Sequence, residues 1–192
     1  IDATDPLRIL VFYKDFGYIS ILDNRLSKQN DINLRMMNIA SPTLIAGAND
    51  GGIWVFDIET VQLYKIDINL NQSKINVDIR QLLNKTIKPV KMELSTNYLC
   101  LADEHDSYIF DQFGTYSGTL KGIGAAPLYQ LNDNQLSTGD STGISKRDLK
   151  LVMSEQKLSG SLGSDISKMM VAGEKSWQLN NKGELTRSEK KP

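Results

Sequence analysis

Asp103-Glu104-His105-Asp106 sets three carboxylates around the chain's one histidine, a donor set with which a divalent ion could be held. Consecutive turn residues rarely converge on one ion, so a polar turn between strands is the better reading of the four. Asn49-Asp50-Gly51-Gly52 and Asp140-Ser141-Thr142-Gly143 resemble pieces of calcium loops, but neither carries the glutamate that completes an EF-hand. Hairpin turns account for both. Paired carboxylates of the glycosidase kind are a third possibility, with Asp15, Asp50, Asp103 and Asp140 as the candidates by position. Each of these also reads as turn chemistry.

Nucleophilic hydrolysis would need a serine or cysteine beside a histidine base, and the lone His105 gives that little support. Cys100, the single cysteine, lies in Tyr98-Leu99-Cys100-Leu101-Ala102 and reads as a small buried hydrophobe. Gly122-Ile123-Gly124 has the glycines of a phosphate loop without the following helix or Lys-Ser/Thr, so it reads as a connection. Trp54, Trp177, Tyr64 and Tyr108 could line a sugar or peptide surface; at strand positions they are expected to fill the space between sheets instead. These residues define no catalytic, cofactor-binding or metal site.

The elements that carry these residues are short strands. Gly51-Gly52-Ile53-Trp54-Val55-Phe56-Asp57 and Gln62-Leu63-Tyr64-Lys65-Ile66 read as two strands joined by a polar turn. Weaker copies recur, from Leu7–Tyr13 and Tyr18–Leu22 through Val90–Leu94, Tyr98–Ala102 and Ser107–Asp111, to fourth and fifth units after Pro127 and Lys168. Such a repeat predicts an all-β β-propeller of four-stranded antiparallel blades, with about five units in a single domain over residues 1–192. Leu7–Tyr13, almost continuously apolar, is expected to be an inner strand buried on both faces.

A polar residue closing a strand before a turn marks each unit: Asp23, Asp57, Asp111, Asp148 and Asn180, at separations of 34, 54, 37 and 32. The long step implies an insertion over residues 69–88, in which Asp78 to Asn84 has the spacing of a short helix. Residues 188–192 read as a solvated tail. With 22 basic and 23 acidic residues the formal charge is −1, which offers no field of one sign to nucleic acid or anionic lipid. No apolar run approaches the roughly 18 residues of a membrane-spanning helix.

Asp5-Pro6-Leu7-Arg8-Ile9-Leu10-Val11-Phe12-Tyr13-Lys14-Asp15-Phe16, Leu22-Asp23-Asn24, Gly52-Ile53-Trp54-Val55-Phe56-Asp57 and Ile109 to Tyr116 together resemble a family of small envelope β-propellers from Bacteroidota. The resemblance covers about residues 1 to 120 and is similar, further, to the plug subunit of the type 9 secretion translocon. It implies a non-enzymatic periplasmic protein, peripheral to the outer membrane, whose partner is an outer-membrane β-barrel translocon or another envelope protein. It also implies sequence before Asp5, with Ile1 an internal start. The matched residues are turn and strand positions, so no cofactor and no functional residue carries over. The residues themselves leave open a ligand- or glycan-binding propeller and, behind it, a propeller hydrolase or lyase.

Overall fold

The computed structural model describes residues 1–74, 79–126, 128–140, 143–150, 155–158, 166–172 and 175–189. Its strands form five separate antiparallel meanders. Sheet one is β1 (Ile9–Tyr13), β2 (Tyr18–Leu22) and β3 (Lys28–Asn33); sheet two is β4 (Pro42–Gly47), β5 (Ile53–Asp57), β6 (Gln62–Ile66) and β7 (Gln72–Lys74). Helix α1 (Ile79–Leu83) precedes sheet three, which is β8 (Lys91–Leu94), β9 (Tyr98–Ala102), β10 (Ser107–Asp111) and β11 (Tyr116–Leu120). Sheet four is β12 (Leu128–Asn132), β13 (Gln135–Asp140), β14 (Gly143–Asp148) and β15 (Glu155–Leu158). Sheet five is β16 (Ile166–Ala172), β17 (Lys175–Asn180) and β18 (Leu185–Glu189), which reaches two residues into the expected tail.

Side-chain alternation explains why these sheets stack face to face. On β5, Ile53 and Val55 join Leu10, Ile19 and Ile32 of sheet one in one buried cluster. Trp54 and Phe56, on the other face of the same strand, join Leu99, Leu101, Tyr108 and Phe110 of sheet three. Sheet three's reverse face, with Cys100, Ala102 and Ile109, packs on Tyr129, Leu131 and Leu136 of sheet four. The near-continuous apolar run of β5 is therefore that of a strand covered on both sides. First strands follow one another in space: β4 lies against β8, β8 against β12, and β12 against β16. This radial succession of three- and four-stranded meanders is the propeller arrangement.

Sheet one departs from expectation in two respects. β1 is not its innermost strand: the Asp2 N–H donates to Leu10 O at 2.9 Å and the Leu10 N–H to Asp2 O at 2.8 Å, which puts residue 2 in first place. Nor is β1 buried on both faces. Leu10 and Phe12 pack toward sheet two, whereas Ile9 and Val11 are only half-buried and Tyr13 is exposed. Among the described residues, no buried cluster covers that second face.

The turn marker is also corrected. In the turn after each third strand, Asp23, Asp67 and Asp111 accept two backbone N–H groups on Oδ1: from Arg25 and Ser27, from Asn69 and Asn71, and from Phe113 and Thr115, all at 2.8–2.9 Å. Asp23 to Asp67 and Asp67 to Asp111 are both steps of 44 residues. Asp57 closes a second strand, a different junction, where its Oδ1 accepts from Glu59 and Thr60. The uneven 34 and 54 came from mixing the two junctions.

Candidate functional site

Strand order assigns every turn to one of two faces. Turns joining first to second and third to fourth strands lie on one face; those joining second to third, and fourth strand to next sheet, lie on the other. Asp50 sits in a first-to-second turn, whereas Asp15, Asp103 and Asp140 sit in second-to-third turns. The fold thus separates Asp50 from the other carboxylates, and the four do not form one site. Asp140 ends β13; Ser141 and Thr142 lie outside the described residues.

The Asp103–Asp106 segment is a turn whose two aspartates are engaged. Asp103 Oδ1 accepts from the His105 and Asp106 N–H groups at 2.8 Å, and its Oδ2 from the Tyr108 hydroxyl at 2.5 Å. Asp106 pairs with Lys85 Nζ at 2.8 Å and accepts from the Gly122 N–H at 3.0 Å. Burial and the Asp103 hydrogen bond push the Tyr108 phenol up to about 12, and the Asp106 bond raises the Lys85 ammonium. Gly122 and Gly124 serve as a connection packed on this turn. A Cβ at Gly124 would lie 2.2 Å from Glu104 O and 2.6 Å from His105 N, both backbone atoms that cannot rotate away. Gly124→Ala is expected to destabilise the protein by about 2 kcal/mol, read as a lower urea midpoint with an unchanged slope.

The aromatics largely fill the sheet interfaces: Trp54 and Tyr108 between sheets two and three, Tyr64 between one and two, with Trp177 half-buried on β17. Cys100 is fully buried, and burial pushes its thiol pKa up, away from the reactive thiolate.

One carboxyl was missed. Residues 1–4, Ile45–Gly47 of β4, Asn49 and Met92–Leu94 of β8 line a cavity of about 290 Å³ beside the first strands. Glu93 is the carboxyl on β8 there. Burial pushes it up to about 7, with Lys91 opposing and Asp2 adding to the shift. Asp2 itself is held by the Gly47 N–H at 2.7 Å and the Thr4 hydroxyl at 2.6 Å. Lys91 reaches the other way, to Ala126 O at 3.2 Å and over the Tyr129 ring at 5.6 Å. A carboxyl balanced near neutrality can give or take a proton or meet a cation. A charged residue alternating with Met92 and Leu94 in a first strand was the available signal.

The first-to-second turn face is the other candidate. Asn49 Nδ2 donates to Ser95 O at 3.0 Å and Ser95 Oγ to Asp133 O at 2.5 Å, tying the turns of sheets two, three and four into one arc. Around that arc project Leu7, Leu26, Ile68 and Phe113, each about two-thirds exposed or more. The sequence reading set Leu7 at the start of a strand and gave Leu26, Ile68 and Phe113 no role at a surface.

No protein-family model matches the chain, and no curated protein matches it in sequence. Solved structures share the fold. PorZ, an essential bacterial surface component of the type-IX secretion system of Porphyromonas gingivalis, superposes with a TM-score of 0.66 at 13% identity, over 96% of this chain and 26% of PorZ. BBS1N, solved in complex with ARL6DN, superposes at 0.63 and 17% identity, over 95% of this chain and 60% of its own. Virginiamycin B lyase from Staphylococcus aureus does so at 0.62 and 12%, over 96% and 67%. The chain therefore spans about a quarter of PorZ and 60% of BBS1N. The likeness is one of fold: all-β, propeller-type sheets, shared by a secretion component, a partner-bound domain and a lyase. No helix among the described residues is long and apolar enough to cross a membrane.

Proposed function

We propose that this chain is a non-enzymatic, protein-docking β-propeller of the bacterial periplasm. It sits against an outer-membrane complex and plugs or braces the pore of a type 9 secretion translocon. The observation that carries the reading is the set of large apolar side chains, Leu7, Leu26, Ile68 and Phe113, exposed on the same face as the first-to-second turns that Asn49 and Ser95 tie together. Folding gains almost nothing from them where they stand, and exposed apolar groups gathered on one surface favour association. The fold shared with PorZ supports the secretion context. Closing a wide pore needs a rigid shape and a contact above about 1,000 Å² rather than chemistry.

Gentle extraction from native outer membranes is expected to bring down a large β-barrel with this protein. Recovery only as a free monomer would overturn the reading. A second reading, a ligand-binding propeller, is favoured by the Glu93 cavity. A rise in melting temperature with one member of an amine, sugar and peptide panel, lost in Glu93→Gln, would select it.

A further inference from the structure

We propose that the cavity beside β4 and β8 binds a small organic cation, a primary ammonium held by the carboxylates of Glu93 and Asp2. This deepens the ligand-binding reading and rests on it; the docking reading does not depend on it.

Charge in the cavity is one-sided. Of its lining residues only Asp2 and Glu93 carry charged side chains, and both are acids. The neighbouring hollow of about 340 Å³ shares Asp2 and holds Arg8, whose guanidinium donates to Gly52 O at 3.1 Å. Arg8 feels the charge of Asp2 but is not among the groups that act on Glu93.

The two carboxylates are held differently. Asp2 is fixed: its Oδ1 accepts from the Thr4 N–H at 2.9 Å and the Thr4 hydroxyl at 2.6 Å, and its Oδ2 from the Gly47 N–H at 2.7 Å. Glu93 is left open. Among the described residues none donates a hydrogen bond to it or forms an ion pair with it, and its oxygens are not sealed in protein. It stands on the innermost strand of sheet three, so no further strand of that sheet lies beyond it.

Its titratable neighbours leave it unpaired. Cys100, opposite it on β9, and Tyr129 of β12 are buried, and burial pushes both up, so they stay protonated at neutral pH. β4, from Pro42 to Gly47, brings no ionisable side chain. Lys91 acts on Glu93 through space, but its ammonium reaches Ala126 O and the Tyr129 ring instead. A partly buried carboxylate with no donor and a second acid nearby gains more from an incoming cation than a solvated one does. About 290 Å³ is at the lower end of the roughly 300–1,000 Å³ of small-molecule pockets, which sets the ligand at a few carbons. An ammonium brings its own three donors, whereas calcium takes about six to eight oxygens, more than two carboxylates in a partly apolar wall supply.

The test is calorimetric titration with butylamine, beside 1-butanol as its uncharged counterpart, calcium chloride, and a panel of sugars and neutral peptides. The expected result is binding of the amine and none of the alcohol. Affinity should rise about tenfold from pH 6 to pH 8, as Glu93, held near 7 by burial, gives up its proton while the amine keeps its own. In buffers of different ionisation heat, binding at pH 7 should release about half a proton. Glu93→Gln should bind the amine at least about tenfold more weakly and lose this pH dependence, at an equal or higher melting temperature. Equal binding of 1-butanol, an affinity unchanged in Glu93→Gln, or binding of calcium in place of the amine would overturn the proposal. A sugar or neutral peptide bound alone would overturn the cation and leave the ligand-binding reading standing. Binding of nothing in the panel would end both.

Discussion

Replacing Trp54 by alanine is expected to remove about 3–5 kcal/mol of stability, the range for emptying a buried aromatic site. Trp54 is 1% exposed and fills the space between sheets two and three with Phe56, Leu63, Leu99 and Phe110. Its ring also lies under Lys65 Nζ, 5.4 Å from the centroid. Strand pairing fixes the surrounding backbones, Trp54 standing opposite Ala46 and Lys65, so they cannot collapse into the gap. Such a loss is a large part of the roughly 5–15 kcal/mol that holds a domain together. Because sheets two and three meet chiefly through this cluster, with few hydrogen bonds such as Asn49 to Ser95 between them, the variant is also expected to unfold in two steps, sheets one and two separating from the rest. Urea titration followed by circular dichroism reads both effects. Phe113→Ala, at a 72% exposed turn position, should stay within about 0.5 kcal/mol. A Trp54→Ala loss below about 1 kcal/mol would mean that sheets two and three do not pack as described.

Trp54 was legible in the sequence for a local reason. Gly51-Gly52 before it and Asp57 after it punctuate an apolar run, and such signals act within a few residues. The strands β5, β6, β9 and β10 were read on the same footing and β8 to within a residue, whereas β7 fell inside the expected insertion over residues 69–88. What failed was long-range. The true marker Asp67 was overlooked because its turn carries Leu70 where a glycine would announce the bend; the Asp67 carboxylate, bonded to Asn69 and Asn71, imposes the turn instead. The place of β1 depended on Asp2 pairing with Leu10, and its half-burial on what covers its second face, neither of which a heptapeptide carries. The aspartates at 15, 50, 103 and 140 were grouped by position along the chain, but whether a turn is odd or even in its sheet decides which face it joins. Glu93 looked like any strand carboxylate. Its neighbours across the cavity come from residues about ninety and about fifty positions away, and only the stacked sheets bring them there.

That environment makes Glu93 the source of the chain's clearest pH dependence. The unfolded chain holds this carboxyl near the ordinary 4.5, while burial in the fold raises it to about 7. Below about pH 4.5 both states keep the proton, and the group's contribution to stability is at its full value. As pH climbs from 4.5 to 7 the unfolded state sheds its proton first, so stability falls through that window and levels off above it. A shift of that size corresponds to at most about 3 kcal/mol, and to about 2 kcal/mol once partial access of water to the cavity is allowed for. Asp2, facing the same cavity, strengthens the effect, and Lys91, drawn toward Ala126 and Tyr129, offsets only part of it. Glu93→Gln keeps the shape and removes the titration, so its stability should run flat over the window and exceed that of the parent by about 2 kcal/mol above pH 7. Urea midpoints for both proteins between pH 4.5 and 8 measure this directly. Two curves that stay parallel throughout would show that Glu93 titrates as it does in water, and that the cavity beside β8 is open to solvent.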